Sequence, residues 1–83
     1  MSQEILAALA HHFNRAPYTV STWESSRVTV LLNCAVMMNL AVGDDITYSC
    51  HHHNGAVSCS DPDGIAKLDR ELERSRLDWV RTP

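Results

Sequence analysis

The stretch Val28 to Val42, VTVLLNCAVMMNLAV, decides the fold, because it is the longest apolar run in the chain and supports two readings. Val28, Thr29 and Val30 are β-prone, which suits a pleated strand. On a helical wheel, Trp23, Val30, Cys34, Met37, Met38 and Ala41 share one side, and Val28, Leu31, Leu32 and Ala35 extend it, leaving Ser26, Thr29 and Asn33 as a polar stripe. Upstream, Ser21-Thr22-Trp23-Glu24 has the spacing of a capping box, in which hydroxyl and carboxylate satisfy donors of a first helical turn. Downstream, Gly43 suits the position just past a helix. These flanks favour one long helix over about residues 22–42, so apolar that it must be covered on most sides. Asn33 and Asn39 interrupt the run, which is shorter than the roughly 20 residues a bilayer span needs. It is therefore read as core.

C-terminal to it, Ile46 to Asp61, ITYSCHHHNGAVSCSD, reads as a two-stranded hairpin over about residues 46–60. Asn54-Gly55 suits the two central positions of a type I′ turn, both of which need positive φ. That turn would set Cys50 opposite Cys59, His52 opposite Val57 and Tyr48 opposite Asp61. Alternation then sends Ile46, Tyr48, Cys50, His52, Val57 and Cys59 to a core face. Thr47, Ser49, His51, His53, Ala56, Ser58 and Ser60 go to a wet one.

Two amphipathic helices flank these segments. Ile5, Leu6, Leu9 and Phe13 recur at helical spacing, and Asn14 and Pro17 stop that helix, giving about residues 3–14. Asp61-Pro62-Asp63 starts another, because Asp caps and Pro is pre-shaped for the first helical position. Ile65, Leu68, Leu72 and Trp79 form its stripe over about residues 62–80. The expected fold is α+β, a small single domain of order helix-helix-hairpin-helix, with the hairpin packed on a buried central helix.

A chain of 83 residues that is 45% hydrophobic holds one small core, in a size range where stability is marginal. Seven basic and ten acidic residues give a net charge of −3, with no electrostatic footprint for nucleic acid or an anionic membrane. Three cysteines are an odd count, and no charged segment followed by an apolar one opens the sequence, so a reducing cytoplasm is expected.

Three constellations carry chemistry. Cys50, His52 and Cys59 share the inward hairpin face, with Cys34 or His12 as a fourth ligand, a set suited to tetrahedral zinc. The spacing C-x-H-x6-C matches no zinc signature, and two buried thiols or a disulfide are the competing readings. His51, His53 and Asn54 at the hairpin tip, with Trp79, are candidate contacts to a partner. A hairpin after helices also resembles a winged helix, although the candidate recognition helix is apolar where it should carry polar side chains toward bases. No Ser-His-Asp arrangement, Gly-rich phosphate loop or paired-carboxylate cleft is present. The sequence thus points to a non-enzymatic protein-protein interaction module, of inhibitor, adaptor or chaperone type, with self-association as an option and no cofactor. A zinc-binding domain and a DNA-binding wing are the alternatives.

Overall fold

The computed structural model describes residues 2–23, 25–51 and 53–81, and only the backbone of Ser2 and Trp23. A first helix, α1 (Ser2–Phe13), leads into five strands: β1 (Tyr18–Trp23), β2 (Arg27–Leu32), β3 (Ala35–Val42), β4 (Asp45–Cys50) and β5 (His53–Ser58). A second helix, α2 (Gly64–Arg81), follows them. The strands form one antiparallel sheet in chain order, β1-β2-β3-β4-β5. This overturns the expected order of helix, helix, hairpin, helix: the stretch read as a central helix is strand.

Two features explain the correction. Asn33 and Cys34 hold φ of 50° and 68° between the paired residues Leu32 and Ala35, so they make a two-residue hairpin turn in which both positions are left-handed. A bulge follows. Val30 pairs with Met38 and Leu31 with Val36, leaving Met37 as the extra residue on β3. Met37 and Met38 are consequently both fully buried, an adjacency that breaks period-two alternation and imitates a helical stripe. The upstream signal also dissolves: Ser21 and Thr22 lie within β1, while Glu24 falls outside the described residues.

The hairpin strands exist, but their register differs from the expected one. Cys50 pairs with His53, Tyr48 with Gly55 and Ile46 with Val57, so the chain reverses between Cys50 and His53 while Asn54-Gly55 lies inside β5. Neither needs positive φ there. Gly55 serves space instead, because a Cβ built on it would stand 2.9 Å from the Tyr48 hydroxyl and 3.1 Å from the ring carbon that bears it.

Both helices cover the same face of the sheet. Leu6, Leu9 and Phe13 from α1 and Leu68 and Leu72 from α2 pack with Tyr18, Val28, Val30, Leu32, Met37, Met38, Leu40, Val42 and Ile46 in one core. Each such side chain contributes about 1.5–3 kcal/mol when fully removed from water. Fully buried Ser75 ties α2 to the sheet, accepting from the His51 N–H at 3.0 Å and donating to the Met37 carbonyl at 3.5 Å. Asp69 joins the helices, 2.9 Å from His12 Nε2 and 2.8 Å from Arg15. The entry to α2 is held by Asp61, whose side chain accepts from the Asp63 N–H at 2.8 Å and whose carbonyl accepts from the Gly64 N–H at 3.1 Å. No described helix is long and apolar enough to cross a membrane.

Candidate functional site

Strand pairing assigns the opposite, helix-free face residue by residue. Ser21, Thr29, Asn39, Ser49 and Asn54 stand opposite one another in register across all five strands. Beside this polar row, Arg27, Ala41, Thr47 and Ala56 form a second row, and on its other side Thr19, Leu31 and Val36 form a third. Arg27 and Asp45 are the charged residues on this face among those described. Most other charges lie on the helices or in loops.

The face is grooved. One depression of about 380 Å³ lies over β2, β3 and β4, lined by Arg27, Thr29, Asn39, Ala41, Thr47 and Ser49 together with backbone neighbours. A second, of about 330 Å³, is lined by Ser21, Thr22, Thr29, Leu31 and Val36. Thr29 lines both, so the two depressions adjoin along β2 and together make up a trough. Thr29 is 2% exposed despite facing away from the core, and its hydroxyl donates to Asn39 Oδ1 at 3.0 Å. Val36 stands 53% exposed at the far end. The trough therefore offers hydroxyls and a carboxamide in its middle, an apolar end and a cationic end. The hydroxyls and the carboxamide along it both donate and accept hydrogen bonds.

Among the described residues, those singled out from sequence do not converge. Cys50 lies on the helix-covered face, its Sγ 4.0 Å from the Glu71 carbonyl, and burial pushes its thiol pKa up. Cys59 follows β5 and lies 3.6 Å from the Gly43 carbonyl. The expected facing of Cys50 and Cys59 is not formed, because the shifted register pairs Cys50 with His53. Cys34 is exposed on the β2–β3 turn, and all three cysteines are free. His12 is engaged with Asp69, and His52 lies outside the described residues. Among the described residues, no group of three or more His, Cys, Asp or Glu is placed to hold a metal ion.

The expected partner contacts also separate. His53, read as outward, faces the helix side, with Nε2 3.0 Å from Asp78 Oδ2. His51 is half-buried beside Ser75. Asn54 does belong to the open face, where it ends the polar row. Trp79 is 39% exposed on the last turns of α2, on the other side of the sheet. The stretch that a winged helix would use for recognition is β2 and β3.

The residues that sequence reasoning missed are Thr29 and Asn39, taken there as part of a helix, and Ser75, hidden among the charges of α2. The available signal was the alternation of Arg27, Thr29 and Leu31 with the buried Val28, Val30 and Leu32. Comparison with protein-family models, curated proteins and solved structures finds no match to this chain.

Proposed function

We propose that the chain is a small, non-enzymatic, cytoplasmic protein-protein interaction module whose working surface is the helix-free face of its sheet. The observation that carries this reading is the distribution of charge. A continuous face spanning five strands bears two charged residues among those described, Arg27 and Asp45, while the helices and loops hold most of the rest. The cores of protein interfaces are depleted in charge in this way, whereas an ordinary solvated surface mixes both signs densely. Exposed Val36, half-buried Leu31 and the polar row add apolar contact and hydrogen-bonding capacity to one surface.

The test is partner capture by the immobilised chain from extract of its native cell, compared with Asn39→Arg and Ser49→Arg variants of unchanged circular dichroism. A partner that binds the parent and is lost from both variants supports the reading. A partner retained equally by both, or lost instead on substituting Arg70 on α2, overturns it.

A further inference from the structure

We infer that the trough takes an extended segment of a partner protein carrying a carboxylate and an apolar side chain four positions apart, with a small residue midway. This deepens the function proposed above and rests on it. Arg27 and Leu31 lie four residues apart on β2, hence on the same face and, at about 3.3 Å per residue, roughly 13 Å from one another. An extended ligand chain has the same rise and the same alternation, so its side chains at positions i and i+4 meet both ends at once.

The ends differ in chemistry. At one, Leu31 and exposed Val36 form an apolar seat. At the other, Arg27 is the charged residue lining the groove, where its planar fork of five donors suits a carboxylate. Arg27 also has an interaction within its own chain, which a ligand carboxylate would share or replace. Asp45, the other charged residue on this face among those described, does not line the groove, so the groove meets a carboxylate with a cation and no anion. Between the ends, the Thr29 and Asn39 side chains bond to each other close to the sheet, which leaves height for a backbone and a small side chain at i+2. A flanking serine on either side of this pair, Ser21 and Ser49, is available to the ligand's peptide groups.

The experiment uses Gly/Ser peptides of about ten residues carrying Leu and Asp four apart, in both chain orders, titrated into the isotopically labelled protein at low salt and followed by amide chemical shifts. Shifts centred on Arg27, Thr29, Leu31, Val36 and Asn39 are expected for one order. Affinity should fall about tenfold for the Asp→Asn peptide, for two-residue spacing and for Arg27→Gln, as for loss of a charge-assisted bidentate pair. Arg27→Glu should instead bind the peptide in which Lys replaces Asp. Absence of shifts at millimolar peptide in both orders, or equal affinity for the Asn peptide or the shorter spacing, overturns the proposal. So do concentration-dependent shifts at the same amides without peptide, which assign the face to a second copy. If the peptides fail while Asn39→Arg still abolishes partner capture, the broader function stands and the segment specificity falls. If capture is also unaffected, both fall.

Discussion

The ring of Tyr48 occupies the space that a side chain on Gly55 would need: the two residues pair across β4 and β5, and a Cβ on Gly55 would come within 3.1 Å of Tyr48 Cζ. Glycine weakens a strand interior unless something covers it, and here an aromatic side chain from the neighbouring strand does so. Gly55→Val should therefore destabilise the fold by about 1–2 kcal/mol, the range for forcing a side chain out of its packing. In a Tyr48→Ala background the same substitution should become neutral or stabilising, because a β-branched residue suits a strand. Urea unfolding of the four proteins in this cycle measures the coupling, and additivity of the two changes would contradict the packing described.

Ser75 gives a sharper stability test. Its hydroxyl serves both a strand carbonyl and the N–H of the β4–β5 turn, and it has no exposed surface. Ser75→Ala leaves both groups short of a partner, at a cost of about 1–3 kcal/mol. Thermal denaturation should show a midpoint lowered by roughly 4–8 °C per kcal/mol lost. Ser60→Ala, exposed in the loop before α2, should shift it far less.

Cys34 sits at φ 68°, where a side chain is strained and glycine is not. Cys34→Gly should stabilise the β2–β3 turn by about 0.5–1 kcal/mol. As the exposed thiol it should also react first with a maleimide at neutral pH, while Cys50, half-buried and with its pKa raised, reacts last. Peptide mapping after brief labelling reads this order directly. The raised pKa has a further sign: the Cys50 contribution to stability is present below the unfolded thiol pKa and is lost as pH rises through the folded one.

Asp61 titrates in the other direction. Lys67 at 2.6 Å, with help from the Asp63 N–H, lowers its pKa below the ordinary 3.8. Its contribution is therefore present above the unfolded value and disappears as pH falls through the lower, folded one. Asp61→Asn should have a lower urea midpoint than the parent at pH 7, and the gap should close in strong acid. A gap that persists unchanged at the acid end would assign the effect to the turn geometry rather than the charge.

What the sequence disclosed and concealed follows from the same contacts. The stripes Leu6, Leu9, Phe13 and Leu68, Leu72 each face a single core, and both terminal helices were legible from them. Residues 45–58 were legible as two strands, yet their register was not. Asn54-Gly55 has the composition of a turn, and the competing demand of Tyr48 for an uncovered backbone leaves no mark in a single sequence. The middle of the chain was misleading because the Met37 bulge places consecutive methionines in the core, and because the turn there is Asn33-Cys34 rather than a pair containing glycine. The open face was half visible, since Thr47 and Ser49 alternate outward, but its partners Thr29 and Asn39 were hidden inside an apolar run.

Because β1 to β5 lie in chain order, each strand pairing closes a loop of only a few residues, and little chain entropy is lost before the first contacts form. Sequence-local pairing of this kind favours rapid folding. The distant parts of the chain meet when the helices dock, α2 through Ser75 to β3 and through Asp69 to α1. We expect hairpins to lead and α2 to seal the assembly last, so that Ser75→Ala accelerates unfolding while leaving the refolding rate nearly unchanged.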